Sequence, residues 1–401
     1  MNKVLFLSYD GLLDPLGKSQ IVPYIKNISK HQREVHIISF EKGFRIKNKK
    51  KINFKEKNIF WYDLTFSSNF GLFSKIYDVL KLFFVSLYIC KNKKINIIHA
   101  RSHISAYVAF FLKKIHKLKL IFDFRGFWLE ERFENKLWNK NNFFYKNTFY
   151  FLKFLEKKTI FASEKLVVLT QKAKEEITKN LKKNISIKVI PCAVDYNLFD
   201  YKKFNHKKKN IKKSIGIDPK DIVVCYLGSL GGVYNVSYIL NNFLFLKKNI
   251  YNISFLVITN NPQVIKNELK KPKYSLLEDK LKYFFLEREF LPKYLSIADM
   301  GLSFIQPGYS RIAQSPTRIA ELLSMGIPVV CNKKIGDINE IISLLKVGMM
   351  INLDIKKNNL KILDFIKNLE RFNKEDIRIK SKKIYSLDNA NKKYKEIYNS
   401  L

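Results

Sequence analysis

The chain has 401 residues, 47% hydrophobic and 14% aromatic, which excludes a disordered protein and is too long for one ordinary hydrophobic core. Its formal charge of +39 suits anionic partners in general. Almost all of that charge is Lys, however, spread among Asn, Ile and Phe with similarly A/T-rich codons, while Arg, the residue that grips guanine edges, is scarce; base composition therefore explains the charge better than nucleic-acid reading does.

Residues 1–9 are a short apolar run leading into a Gly-containing turn, and read as a first strand. An export signal would need a longer apolar stretch and a small-residue cleavage site. Apolar runs at 34–40, 95–100, 118–124 and 165–170 read as further buried parallel strands, with helical patterns between most of them. In one such pattern Leu72, Ile76, Val79, Phe83 and Leu87 form a stripe opposed by Lys75, Asp78 and Lys81, and the stripe is expected to be buried on a sheet. Between 143 and 158, Phe144, Tyr150, Phe151 and Phe154 mix with Lys146, Lys153 and Lys157, which suits a sheet-covering helix or an anionic lipid surface equally.

The alternation resumes at 222–227, 253–259, 300–304 and 327–331, so the fold class is α/β with two Rossmann-like, doubly wound domains. The lysine-rich, non-periodic segment 200–213 reads as a basic linker between an N-terminal domain, 1–199, and a C-terminal domain, 214–380. A helical pattern over 381–401 is free to pack back across the junction. No run is long and charge-free enough to span a bilayer. Cys90, Cys192, Cys225 and Cys331 are widely separated, as expected for reduced, buried thiols of a cytosolic protein.

Three segments at strand ends carry chemistry. The first, the loop Tyr9-Asp10-Gly11-Leu12-Leu13-Asp14-Pro15-Leu16-Gly17-Lys18-Ser19-Gln20, is a Pro/Gly turn opening onto a helix; it offers backbone N–H groups to an anion or is an ordinary βα turn. The second, Asp123-Phe124-Arg125-Gly126-Phe127-Trp128-Leu129-Glu130-Glu131-Arg132, sets charges and aromatics around a Gly, as in a substrate cleft, or holds an Asp123–Arg125 or Glu131–Arg125 ion pair that orders the loop. The third runs from Ser315-Pro316-Thr317-Arg318 to Gly326-Ile327-Pro328. Ser before Pro predicts a helix starting at Pro316 with Ser315 as its cap, a diphosphate seat facing an inter-domain cleft. Arg318 adds charge in the first turn, and Glu321 can accept both hydroxyls of a ribose; the bland alternative is an Arg318–Glu321 surface pair. Gly228-Ser229-Leu230-Gly231 lets backbone approach phosphate, and Glu287 edges a nucleobase pocket or lies in a solvated loop.

In this order these segments, with Ala298-Asp299-Met300-Gly301-Leu302, resemble the retaining glycosyltransferases of family 4, which have the GT-B fold; the likeness is to the bacterial surface-polysaccharide type. The resemblance implies a nucleoside-diphosphate sugar held by the C-terminal domain, here by Gly228, Ser229, Glu287, Ser315, Thr317, Arg318 and Glu321, with Gly17 contributing from the N-terminal domain. It implies a glycan or lipid-linked acceptor at Gln20 and Trp128, and no metal or other cofactor; no D-x-D pair is visible. Asp123 and Arg125 stand where many relatives have a catalytic His. Of two Glu that many members carry, Glu321 matches the second, whereas Ala313 occupies the first position. The Arg and Lys that many members place after the first strand of the C-terminal domain are missing, and Arg318 is the candidate to supply that charge. The location implied is cytoplasmic, with peripheral contact at an anionic inner membrane. Competing readings are a nucleotide-sugar epimerase, which needs no acceptor, and a basic nucleic-acid-binding protein.

Overall fold

Short apolar runs, buried on both faces, assemble into two parallel sheets. The computed structural model describes residues 2–31, 33–43, 52, 54, 56–67, 71–181, 185–353 and 358–401. Residue 1 of the expected first strand and the Leu72 side chain of the expected stripe lie outside the described residues. The first sheet contains β1 (Lys3–Ser8), β2 (Glu34–Glu41), β3 (Ile59–Thr65), β4 (Ile97–Arg101), β5 (Lys119–Asp123), β6 (Lys165–Val168) and β7 (Ile187–Val189), in the order β3-β2-β1-β4-β5-β6-β7. The second contains β8 (Ile222–Leu227), β9 (Ile253–Ile258), β10 (Leu281–Phe284), β11 (Met300–Ser303), β12 (Val329–Asn332) and β13 (Gly348–Ile351), ordered β10-β9-β8-β11-β12-β13. Strand order reverses beside β1 and beside β8. In such sheets ligands bind at those reversals, beyond the carboxyl ends of the strands.

Strand residues alternate between two apolar layers, as a pleat requires. Val223, Cys225 and Leu227 of β8 face one cluster, and Val224 and Tyr226 face the other. All four cysteines are buried and free, and burial pushes the thiols of Cys90 and Cys331 up to about 12.

Contacts divide the chain into one unit of Met1–Pro191 with Asp388–Leu401, and a second of Cys192–Leu387. The expected linker is therefore part of the second unit. It forms a short 3-10 helix, Tyr201–Lys207, and an α-helix, Lys208–Ser214, anchored by buried Tyr201 and Ile211 beneath an otherwise polar surface. The C-terminal pattern is broken at Ser386 into helices Lys374–Tyr385 and Leu387–Asn399. The latter completes the first unit: Tyr394 packs on Tyr24 at 4.9 Å, and Tyr398 Oη lies 2.6 Å from His99 Nδ1.

From β3 through β4 and β5 to β6 the chain steps one way across the first sheet. Right-handed crossovers then set helices Gly71–Lys93, Ser102–Ile115 and Phe143–Ala162 side by side on one face. The first of these departs from expectation. Ser74, Asp78, Leu82 and Ser86 face inward, whereas Ile76 of the expected buried stripe is exposed with Phe73, Tyr77, Leu80, Phe84 and Tyr88. Asp78 is drawn in because its carboxylate accepts the Ser67 N–H at 3.2 Å.

Candidate active site

At the reversal of the second sheet, Gly228 follows β8 with φ +125 and donates its N–H to the Ile258 carbonyl at 2.8 Å. A Cβ there would lie 2.6 Å from Arg318 Cζ, so any other residue would be strained in its backbone and would displace the guanidinium. Arg318 rises from the first turn of helix Thr317–Ser324. Its Nη1 donates to Tyr226 Oη at 2.8 Å, and its Cζ sits 4.1 Å from the Tyr234 ring centroid. Tyr226 Oη in turn donates to the Ser229 carbonyl at 2.7 Å. One guanidinium is thus held against the backbone that follows β8, reaching it from the neighbouring helix.

The helix begins one residue later than the Ser-Pro signal predicts. Pro316 is the N-cap with extended ψ 111 and no side-chain cap, while Ser315 Oγ accepts the Cys192 N–H at 3.2 Å. Thr317 opens the helix, half-buried, so the uncapped N–H groups of the first turn are directed at the same edge as Arg318. Glu321 is buried and pairs with Arg288, whose guanidinium lies 4.9 Å from the Phe199 ring centroid. This replaces the expected i,i+3 alternative and leaves Arg318 to the tyrosines. Glu287 precedes the turn Arg288–Phe290 and is half-buried, and Ala313 is buried. Tyr226 and Tyr234 were not legible as site residues: Tyr226 is hidden inside an apolar strand run, and nothing in the local pattern ties Tyr234 to Arg318.

At the reversal of the first sheet, the loop after β1 winds around a buried carboxylate that sequence reasoning missed. Glu41 accepts the N–H of Leu12 at 2.6 Å, the N–H of Leu13 at 3.2 Å and the hydroxyl of Ser39 at 2.7 Å. These N–H groups, expected to meet an anion, are already bonded. A Cβ on Gly17 would lie 2.0 Å from the Gly11 carbonyl oxygen, and Gln20 is buried, so both residues have packing roles in this loop.

Asp123 is the centre of a buried charge cluster. Its carboxylate lies 3.2 Å from Arg101 Nη1 and 3.3 Å from Arg125 Nη1, and Tyr394 donates to it at 3.4 Å. Burial alone would raise its pKa, but Arg125, the His99 ring 3.8 Å away and Arg101 outweigh burial and hold it well below the usual carboxylate range. The expected choice between cleft and ordering pair thus divides by residue: Asp123 is interior, and Arg125 retains some exposure. Beside it, the half-buried Trp128 stacks on His103 at 5.7 Å, with Arg132 4.6 Å from its ring centroid. His103 Nε2 lies 2.8 Å from Glu156, which Lys153 links to Glu130. Ser102, between Arg101 and His103, has φ 69, a left-handed conformation that costs a non-glycine residue about 1–3 kcal/mol. Among the described residues no group of three His, Cys, Asp or Glu could hold a metal ion.

Two family models match: Glycosyltransferase Family 4 over residues 25–198 and Glycosyl transferases group 1 over residues 207–380. No curated protein matches. Among solved structures, a sucrose-phosphate synthase from Thermosynechococcus elongatus aligns over 100% of this chain and 99% of its own, with TM-score 0.75 and 12% identity. Anabaena HepE, solved with UDP and glucose, covers 100% of both chains with TM-score 0.74 and 14% identity. WaaG, a glycosyltransferase involved in lipopolysaccharide biosynthesis, aligns over 98% of this chain and 99% of its own, with TM-score 0.69 and 14% identity.

Proposed function

Because the chain belongs to the family 4 type of glycosyltransferase and has its GT-B fold, we propose that it moves a sugar from a nucleoside diphosphate to a glycan or lipid-linked acceptor in polysaccharide assembly. The transfer proceeds with retention and without a metal ion, in the cytoplasm and in peripheral contact with an anionic inner membrane. The observation that carries this reading is Arg318, braced by two tyrosines over Gly228 at the end of β8. Diphosphate meets three sources of positive potential or close backbone there: the first turn of helix Thr317–Ser324, the guanidinium, and the main chain of Gly228 and Ser229.

These groups stabilise negative charge on the leaving diphosphate, and being fixed beforehand they need little reorganisation as the bond breaks. Glu321, oriented by Arg288, accepts the ribose hydroxyls, with Ser315, Thr317 and Glu287 lining the remainder of the donor site. In the first unit Asp123 positions Arg125, and Arg125 with Trp128 meets the acceptor. HepE has been solved with UDP and with UDP-glucose, which makes uridine nucleotides the first donors to try.

Calorimetry with a panel of nucleoside diphosphates, followed by turnover of the matching sugars, tests the reading. Tight diphosphate binding, with sugar transferred and its anomeric configuration kept in the product by NMR, is the expected result. Absence of binding to every nucleoside diphosphate would overturn it. Turnover should persist in EDTA; loss restored by Mg²⁺ or Mn²⁺ would remove the metal-free part alone.

A further inference from the structure

We propose that the outer face of helices Gly71–Lys93, Ser102–Ile115 and Phe143–Ala162 lies flat on an anionic lipid surface, with its aromatic side chains in the headgroup–acyl boundary. The face is apolar where a soluble protein is ordinarily polar. Phe73 is 79% exposed, Tyr88 67% and Phe143 79%, and Ile76, Tyr77, Leu80, Phe84, Phe111, Ile115, Tyr150, Phe151 and Phe154 join them across three adjacent helices. The inversion of Gly71–Lys93 is the sharpest sign. A helix covering a sheet turns its apolar residues inward. This one places Ser74, Asp78 and Ser86 on the interior beside Leu82, Ile89 and Cys90, and keeps Phe73, Tyr77, Phe84 and Tyr88 outside.

Charge selects the occupant. The only acids on the three helices are Asp78 and Glu156, and both are buried. The exposed Lys75, Lys91, Lys93, Lys114, Lys146, Lys157 and Lys158 therefore face outward without an exposed carboxylate on the same helices. Lys158 lies 5.3 Å from the ring centroid of the exposed Phe154, the side-by-side arrangement of cation and aromatic that suits an anionic interface. A second copy of the chain would bring these lysines against one another. Among the described residues no helix is long and apolar enough to cross a membrane, so the contact is with the surface. Each helix starts near the carboxyl edge of the sheet, so the face begins beside the segment that carries Arg125 and Trp128.

The face belongs to the first unit, and its docking does not depend on the donor site; diphosphate affinity measured on the same protein separates failure of one from failure of the other. The full chain is sedimented with phosphatidylglycerol-containing vesicles and with phosphatidylcholine vesicles. Binding to the first and recovery in the supernatant with the second is expected. Phe73→Ser with Phe84→Ser and Tyr88→Ser should weaken vesicle binding at least tenfold, and Lys75→Glu with Lys146→Glu and Lys157→Glu should do the same. Leu344→Ser with Leu360→Ser, exposed apolar positions of the second unit, should have no effect. All of these changes are on the surface, and circular dichroism verifies that each variant is folded. Equal recovery in the supernatant with both vesicles would overturn the proposal, as would equal loss in the control. A wild-type dimer that the serine variant converts to monomer, with no vesicle binding, would assign the face to a second copy instead.

Discussion

The two units share a strand order around their first strands and differ in nearly everything outside it. In the second unit exposed large hydrophobics are scattered, with Leu344, Leu360 and Ile379 on three different helices. Scattered apolar residues are normal on any surface. In the first they form a band across three neighbouring helices. Charge differs as well. The first unit buries a carboxylate with two guanidiniums, Asp123 with Arg101 and Arg125, whereas the second keeps Arg318 half-buried against a glycine and two aromatic rings. The same sheet can therefore be built to pair a guanidinium with a carboxylate or to hold one against aromatic rings. The difference lies in whether a carboxylate is already in reach.

The largest test of that contrast is Asp123→Ala. Removing the anion leaves Arg101 uncompensated in the interior, and breaking a buried pair costs about 3–5 kcal/mol. Trp61, Trp128 and Trp138 all lie in the first unit, so tryptophan fluorescence should report an earlier denaturant midpoint while diphosphate affinity is kept. A midpoint equal to wild type would mean that the cluster is not structural. The pH dependence follows from the depressed carboxyl. Its folded pKa lies below the unfolded value of about 3.9, so its stabilisation is complete above that pH and is lost as pH falls through the folded value. Wild type should show no Asp123-dependent change between neutrality and about pH 5; a loss there that Asp123→Asn abolishes would contradict this sign.

Arg318→Ala should cost roughly 1.5–3 kcal/mol of nucleoside-diphosphate affinity, the range for a hydrogen bond to a charged group, with the melting temperature little changed. Unaltered affinity by calorimetry would move the donor site elsewhere. Gly228→Ala should weaken the same binding by roughly 1–3 kcal/mol, because it combines a left-handed backbone with displacement of the guanidinium. The smallest effect is expected for Tyr226→Phe, which removes one hydrogen-bond partner of Arg318 and should lower affinity by about 0.5–1.5 kcal/mol. If Tyr226→Phe matched Arg318→Ala, the hydroxyl itself would be the ligand contact.

Interior strands were legible in the sequence because burial on both faces makes them apolar runs, as in β1, β4, β8 and β11. The strands it did not reveal, β3, β7, β10 and β13, are the edges of the two sheets, where partial exposure relaxes the pattern. In the candidate site, Arg318 and Glu321 stood out through the punctuation of Ser-Pro and Gly around one helix. Their partners did not: Tyr226, Tyr234 and Arg288 meet them only across sequence distances that no local period encodes. Glu41 was hidden for a related reason, as a charge at the end of a buried strand whose acceptors are filled by a loop 28 and 29 residues away. The inverted helix is the opposite case. Its periodicity was visible, but a stripe alone cannot tell which side meets the sheet when the other side carries Ser, Asp and Ser.

Helix Leu387–Asn399 has a consequence for how the protein is made. The second unit is inserted in the chain of the first, and the strands of passage are stitched together where Leu387 donates to Val194 and Val194 to Tyr385, at 2.9 and 2.8 Å. A ribosome delivers the first sheet early but withholds Tyr394 and Tyr398, the rings that close over Tyr24 and His99, until the whole second unit has emerged. The first unit is therefore finished only after the second, and a chain stopped between Leu387 and Tyr394 carries an open first core and a complete second one.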